Sequence, residues 1–342
     1  MKLKISFLAV FLLAVHLGFC DYLTVSRVSN IKADPTKDGV IIEKVEKGTF
    51  LVLLDDGTQE NGYYHVVAPT TQRDGWIYRN RVRRKTGSIP GLTAPDTTEI
   101  VWKSNIPNGY YAGTDGLAGQ ELKTALYNII KDHIEFVYTS SDVDVWDILK
   151  ETDRAPNNPE RVRLFYTDRT RDAALEYDQG RGWTREHVWA KSHGDFGTSL
   201  GAGTDVHHLR PVDASVNSTR SNKDFDTGGI EYIDGDFATG CLRDEDSWEP
   251  KDAEKGDVAR MLFYMAVRYE GESGEPDLEV VDEVDTAPRP VHGKLSALIQ
   301  WHKQDSVSNW ERRRNDIIYT DFQRNRNPFI DHPEFVELIW GN

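Results

Sequence analysis

Histidines and oxygen-bearing side chains crowd one stretch of this sequence. Four of the ten histidines fall within a window of 22 residues: His187, His193, His207 and His208. Four candidate oxygen donors are interspersed with them or follow closely: Glu186, Asp205, Asp213 and Asn217. Imidazole accepts protons or binds metal ions, and carboxylate and amide oxygens bind hard cations. The stretch predicts a hydrolytic metal site, with a structural, hydrogen-bonded histidine cluster as the alternative.

The spacing of these residues bears on which metal would bind. Zinc hydrolases often place two histidines four residues apart on one helix, whereas the histidines here are adjacent or at least six apart. Magnesium prefers oxygen ligands and keeps several waters, so Glu186 and Asn217 could hold it and leave an imidazole free as a general base. We therefore predict Mg²⁺, for which Mn²⁺ or Ca²⁺ could substitute in binding. A zinc-dependent phosphoesterase that uses the four histidines is the alternative.

Three ordered motifs carry a family resemblance: REHVW at 185–189, DVHHLRP at 205–211 and VNSTRSN at 216–222. Together they resemble the endonuclease I family of exported bacterial nucleases, whose active site is a ββα-metal, or His-Me finger, motif. The resemblance extends from about residue 108 to residue 333. It implies that the second part of the chain is a nuclease domain.

The resemblance also implies a role for each matching residue. His187 corresponds to the general base, and Glu186 and Asn217 correspond to the ligands of one Mg²⁺ ion. The implied reaction is hydrolysis of DNA, and of RNA as well because water is the nucleophile, without sequence specificity and with 5′-phosphate products. Arg220 and Arg210 are the predicted candidates for steadying the phosphate. Because Glu186 and His187 are neighbours, their strand must end or bend there for both to serve one site.

Short β-rich runs alternate with turn residues in the first part of the chain. The runs occupy 40–42, 49–54, 63–67 and 75–78, and turn sequences fall at 55–57 and 60–62. The pattern over these residues resembles the bacterial SH3-like domain. In an exported protein that resemblance implies a cell-wall or surface ligand, or a spacer with no ligand. A wall-binding protein with an inactive nuclease domain is therefore a further alternative.

Apolar residues at helical spacing predict helices near 117–130 and 258–269 in the second part. We therefore predict an α+β chain in which a small SH3-like β-barrel at 21–86 is followed by a linker at 87–104. A mixed α/β nuclease domain that contains the ββα-metal motif then occupies 105–342.

The only long apolar run is Ile5 to Leu17, preceded by Lys2 and Lys4. Its length of about 13 residues suits a signal peptide and falls short of the roughly 20 that cross a bilayer. We predict that residues 1–20 are a signal peptide, that the mature chain is secreted or periplasmic, and that no later segment spans a membrane. Cleavage after Cys20 leaves Cys241 alone, so we expect no intramolecular disulfide. We also expect the chain to be a monomer.

Charge is distributed unevenly along the chain. Without residues 1–20, 39 basic residues face 56 acidic ones, a net charge of −17 that disfavours a general polyanion binder. Residues 21–90 carry +2, whereas residues 91–342 carry −19. A nucleic acid substrate would therefore have to bind through local basic faces, and we expect that binding to be weak, salt-sensitive and non-specific.

Overall fold

The computed structural model describes residues 22–54, 59–71, 74–85, 102–156 and 158–341. The predicted signal peptide at 1–20 and most of the predicted linker at 87–104 lie outside these residues. The chain divides into two units, residues 1–100 and 101–342, and the described part of each has a hydrophobic core of its own. Within the described residues, no helix has the length and apolar character needed to cross a membrane.

The described part of the N-terminal unit is built from short strands. They are β1 (Tyr22–Val25), β2 (Ser29–Lys32), β3 (Ile41–Val45), β4 (Phe50–Val52), β5 (Gln59–Glu60), β6 (Tyr63–Val67), β7 (Asp74–Tyr78) and β8 (Val82–Lys85). They form two antiparallel sheets with the strand orders β4-β1-β8 and β3-β2-β7-β6-β5. Alternate residues from both sheets, among them Leu23, Ile31 and Ile77, make one apolar core.

The predicted closed SH3-like barrel is not found among these residues. Strand β4 has only three residues, all paired with β1, and the two sheets are joined by a single bridge between Leu53 and Val66. A barrel requires strand pairing all the way round, and here the pairing is interrupted between the sheets. The four predicted β-rich runs do form strands, β3, β4, β6 and β7, so the prediction was wrong in the closure and right in the strands.

Helices provide most of the core of the C-terminal unit. They are α1 (Gly119–Ile130), α2 (Val145–Thr152), α3 (Ala214–Arg220), α4 (Lys255–Arg268), α5 (Leu295–Gln304), α6 (Asn309–Ile317), α7 (Pro328–Asp331) and α8 (Phe335–Trp340). All but the first residue of α4 are buried, as expected for a helix that is apolar on most of its circumference. Helices α1 and α4 confirm the two predicted helical stripes.

Strands in the C-terminal unit are short and form small sheets. They are β9 (Arg161–Arg163), β10 (Thr170–Asp172), β11 (Trp183–His187), β12 (Leu209–Asp213), β13 (Asp224–Phe225), β14 (Ile230–Asp234), β15 (Phe237–Arg243), β16 (Ser247–Glu249), β17 (Glu279–Val280) and β18 (Val291–His292). Among the named strands, β11 and β12 pair only with each other, and α3 follows β12 directly. The described chain is thus a mixed α+β protein.

Cys241 lies in β15 and is fully buried. Burial raises the pKa of its thiol to about 12. Because the thiolate is the reactive form, this cysteine is chemically inert at neutral pH.

Candidate active site

A two-stranded hairpin and the helix after it hold the predicted site residues. In the antiparallel pairing of β11 with β12, Glu186 lies opposite Arg210 and His187 lies opposite Leu209. Helix α3 packs on the hairpin, where the Asn217 Nδ2 donates a hydrogen bond to the Arg185 carbonyl oxygen at 3.4 Å. Strand β11 ends at His187, which is the condition under which neighbouring Glu186 and His187 can serve one site.

The His187 imidazole is held in one tautomer. Its Nε2 lies 3.0 Å from the carbonyl oxygen of Gly203, which can only accept a hydrogen bond, so Nε2 carries the proton and Nδ1 is left as the acceptor. Burial lowers the pKa of His187 well below its usual range, so the ring is neutral. A neutral imidazole with one nitrogen fixed as a donor has the state that a general base needs.

A glycine is required where that carbonyl approaches the ring. A Cβ atom on Gly203 would lie 2.6 Å from the Ser199 carbonyl oxygen, closer than real Cβ contacts. The loop can therefore bring its backbone against His187 only with glycine at this position. This backbone partner has no side-chain signature, so motif reasoning did not find it.

Glu186 is a buried carboxylate with two partners. The Tyr166 hydroxyl donates to its Oε1 at 3.0 Å, and the Arg220 Nη1 lies 3.5 Å from the same oxygen. Burial raises the pKa of Glu186 to about 7, although Arg220 and Tyr166 both act to lower it. These two partners therefore compensate the carboxylate charge only in part, and a cation bound here would complete that compensation.

Tyr166 is a site residue that sequence reasoning missed. Its side chain is fully buried, and its backbone is held at a φ of +71°, a conformation that costs energy for a non-glycine residue. It lies 20 residues before Glu186 in sequence, in a segment without a motif. Only tertiary packing brings its hydroxyl to the carboxylate.

If Glu186 binds the predicted Mg²⁺ ion, replacing Tyr166 with phenylalanine is expected to lower both metal affinity and hydrolysis by about 10-fold to 100-fold, because the hydroxyl contacts the Glu186 carboxylate and would orient it. Titrating activity with Mg²⁺ measures the affinity. Tyr232→Phe, which removes a hydroxyl that contacts Thr219 and Asp234, is the matched control. Equal effects of the two variants would contradict a special role for Tyr166.

Arg220 lies next to the candidate ligand and is almost fully buried. Its guanidinium donates to the carbonyl oxygens of His187 at 3.2 Å and Val188 at 2.7 Å, besides its approach to Glu186. It also contacts the Nε2 of His292 at 3.2 Å. Arg220 therefore holds the end of β11 in place and supplies the positive charge beside Glu186. Its contact with a phosphate stays a prediction.

Arg210 is directed elsewhere. Although it lies opposite Glu186 in the strand register, its Nε lies 2.9 Å from Asp153 and its Nη1 lies 3.7 Å from Asp257. Its guanidinium also stacks over the ring of Phe165, 4.3 Å from the ring centroid. The structure thus places the Arg220 guanidinium against the Glu186 side chain and the His187 carbonyl oxygen, whereas Arg210 contacts a separate pair of carboxylates. Its predicted phosphate contact is not tested by this arrangement.

The four histidines of the zinc alternative do not form one cluster among the described residues. The only group of three or more candidate ligands found there is His193, Asp224 and His292. Both nitrogens of His193 lie near backbone carbonyls, those of Val291 at 2.8 Å and Asn222 at 2.7 Å. These contacts already engage both imidazole nitrogens, which favours a structural, hydrogen-bonded histidine over a metal ligand.

His207 and His208 also lie in hydrogen-bonded, buried positions. The Nε2 of His207 lies 3.2 Å from the Asn325 Oδ1, and that of His208 lies 2.8 Å from the Ala202 carbonyl oxygen. Burial lowers the pKa of each to about 4. Both histidines are therefore neutral in the folded protein at neutral pH.

Acid is expected to destabilise the protein through these histidines. Between pH 6.5 and 4 the unfolded chain takes up a proton on His207 that the folded chain does not, so the free energy of unfolding falls as pH falls. The loss is about 3 kcal/mol for His207 by pH 4. Denaturant unfolding across this range measures the slope, which His207→Gln should flatten. The control is His332→Gln, which changes a partly exposed histidine. If the free energy of unfolding depended on pH equally in both variants, His207 would not be a source of the acid sensitivity.

Comparison with known proteins identifies similar sequences over most of this chain. A family model described as Endonuclease I matches residues 118–334. The extracellular ribonuclease of Bacillus subtilis (strain 168) is 53% identical over 255 residues, 75% of this chain and 84% of that protein. The extracellular ribonuclease of Bacillus amyloliquefaciens is 55% identical over 276 residues, 80% and 93% of the two chains. Endonuclease-1 of Buchnera aphidicola subsp. Baizongia pistaciae (strain Bp) is 27% identical over 135 residues, 37% and 46% of the two chains.

Proposed function

The chain belongs to the endonuclease I family, and we propose that it is a secreted, Mg²⁺-dependent endonuclease that hydrolyses RNA and DNA without sequence preference. Membership supports a hydrolytic nuclease with a nucleic acid substrate. Two relatives are named extracellular ribonucleases, which supports RNA as a substrate and secretion of the chain. A third is named Endonuclease-1.

One observation carries the proposal: the His187 Nε2 is committed to the Gly203 carbonyl oxygen, which leaves Nδ1 as a proton acceptor on the residue that follows Glu186 in β11. In the proposed reaction Nδ1 takes a proton from the water that attacks phosphorus in line. The Gly203 carbonyl keeps the ring oriented and stabilises the imidazolium that forms. Cleavage on the 3′-oxygen side leaves a 5′-phosphate. Because no 2′-hydroxyl takes part, the chemistry accepts either sugar.

The residues present fit a hard cation. Glu186 offers a buried carboxylate whose charge is only partly compensated, and Asn217 offers its Oδ1 because its Nδ2 donates to the Arg185 carbonyl. Two oxygen donors and no thiolate suit Mg²⁺, with Mn²⁺ or Ca²⁺ as substitutes in binding. When bound, the ion would stabilise negative charge on the phosphate and the leaving oxygen. Arg220 would keep Glu186 ionised and in place for it.

Degradation of plasmid DNA and of a long RNA by the purified chain tests the proposal. We expect cleavage of both substrates with Mg²⁺ and none in excess EDTA. Asn217→Ala is expected to need at least about 10-fold more Mg²⁺, and Ser218→Ala, an exposed neighbour on α3, serves as the control. Full activity in EDTA, or stoichiometric zinc in protein purified without chelator, would contradict the proposal.

A further inference from the structure

The five-stranded sheet of the N-terminal unit carries a basic and aromatic groove of about 900 Å³. Four cationic side chains and two tyrosines contribute to its lining: Lys32, Lys37, Lys44, Arg81, Tyr63 and Tyr78. No carboxylate side chain is among its lining residues. Within the described residues, none of the four cations forms an ion pair with a carboxylate. The lining that the structure describes therefore carries four positive charges and no negative one.

Strand alternation places aromatic rings beside these cations. Along β7, Trp76 and Tyr78 share the outer face, while Gly75 and Ile77 are buried on the other. Tyr63 lies opposite Tyr78 in the pairing of β6 with β7, with the ring centroids 5.0 Å apart. Lys32 lies opposite Trp76, so cation and rings share one face of the sheet.

Charge and rings together point to one class of ligand. Lysine and arginine neutralise phosphates, and an exposed aromatic ring on a sheet stacks on an unpaired base. Tyr78 is 36% exposed, so part of its ring can be covered by a ligand. A base in a duplex is already stacked and paired, whereas a base in a single strand is available to the ring. The face therefore suits a single strand better than a duplex.

We propose that this face of the N-terminal unit binds single-stranded nucleic acid, with phosphates on the lysines and a base on Tyr78. The proposal rests on the proposed nuclease function and supplies a source of substrate affinity. Residues 91–342 carry a net charge of −19 and repel a polyanion, whereas residues 21–90 carry +2. Because both units belong to one chain, substrate held here is concentrated near the catalytic unit.

The test uses the chain from residue 21 onward with the substitution His187→Ala, in EDTA, so that the ligand is not cleaved. Binding of a fluorescein-labelled 12-nucleotide oligouridylate is measured by fluorescence anisotropy. We expect K37E/K44E to bind about 10-fold more weakly and with a shallower dependence of log K on log salt. The control R83E/K85E makes the same charge change on β8, in the other sheet, and should bind like its parent. Lys32 is left unchanged because its Nζ donates to the backbone of Thr36 and Lys37.

A second variant separates stacking from charge. Tyr78→Leu keeps an apolar side chain but removes the ring, and it is expected to weaken oligouridylate binding about fivefold or more while leaving inorganic polyphosphate binding unchanged. Equal weakening of both ligands by Tyr78→Leu would contradict base stacking. Equal weakening by K37E/K44E and R83E/K85E would overturn a local site.

The wall ligand is tested in the same series. Suppose that purified cell-wall material binds the chain, that K37E/K44E abolishes this binding, and that oligouridylate binding is unchanged in K37E/K44E. The proposal would then be overturned in favour of a wall polymer. Plasmid and RNA cleavage by the chain with intact His187 is measured separately. Loss of that cleavage would overturn the proposed function and leave the binding result unaffected, so the two failures can be told apart.

Discussion

Replacing His187 with alanine is expected to lower the rate of phosphodiester hydrolysis by about 10²-fold to 10⁴-fold, the range that a positioned general base contributes. The Nδ1 that would accept the proton of water disappears. Among the described residues, the neighbouring His208 has its ring centroid 5.5 Å from that of His187, but its side chain is fully buried and has no access to water. Initial rates on a long RNA and on plasmid DNA at saturating Mg²⁺ measure the loss, which should be similar for both substrates.

The matched control is His332→Ala, which removes a partly exposed histidine that pairs with Glu334 near the C-terminus. It should cleave at the rate of the unchanged chain. Because His187 is buried, thermal unfolding must show that His187→Ala is still folded. A folded His187→Ala protein that cleaves as fast as the His332→Ala control would remove His187 from the mechanism.

The local part of the site was predictable because it is short in sequence. Strands β11 and β12 and helix α3 all fall between residues 183 and 220, so motif order alone placed Glu186, His187 and Asn217 on one supersecondary unit. Arg220 ends α3, and its approach to Glu186 follows from the same short range. Motif order therefore indicated that these residues lie on adjacent elements, and their catalytic and metal-binding roles stay predictions.

The partners that tune these residues were not predictable. Tyr166 reaches Glu186 from 20 residues upstream, and His292 reaches Arg220 from 72 residues downstream, and both contacts depend on tertiary packing. The Gly203 contact involves a backbone carbonyl, which every residue type carries. Side-chain patterns report which residues can react, but they carry no information on which distant groups set tautomer and charge.

The N-terminal unit shows the same division between local and long-range information. Short β-rich runs separated by turn residues predicted its strands because that pattern is local. Closure of a barrel depends on hydrogen bonds between strands far apart in sequence, and β4 is too short to make more than a bridge toward β6. The resemblance to an SH3-like domain therefore identified strands and did not determine their pairing around a barrel.

Replacing Arg220 with methionine is expected to lower the free energy of unfolding by about 1 to 3 kcal/mol, because it leaves buried acceptors without a donor and takes the cation from Glu186, whose raised pKa lets it take up a proton in response. The donors to the His187 and Val188 carbonyls are lost as well, so the end of β11 should loosen and hydrolysis should fall. Denaturant unfolding at neutral pH and initial cleavage rates measure the two effects. Arg220→Lys keeps the charge but offers one nitrogen in place of a guanidinium that bridges several acceptors, so it should recover part of the stability.

A second change at Glu186 distinguishes charge compensation from packing. If Arg220 serves to balance the buried carboxylate, Glu186→Gln should restore much of the stability lost in Arg220→Met, since no uncompensated charge then remains. Hydrolysis should stay low in the double variant, because the candidate metal ligand is gone. If the stability loss of the double variant instead equals the sum of the losses of the two single variants, Arg220 acts only through other contacts. These are its hydrogen bonds to the His187 and Val188 carbonyl oxygens and its contacts with His292 and Phe225.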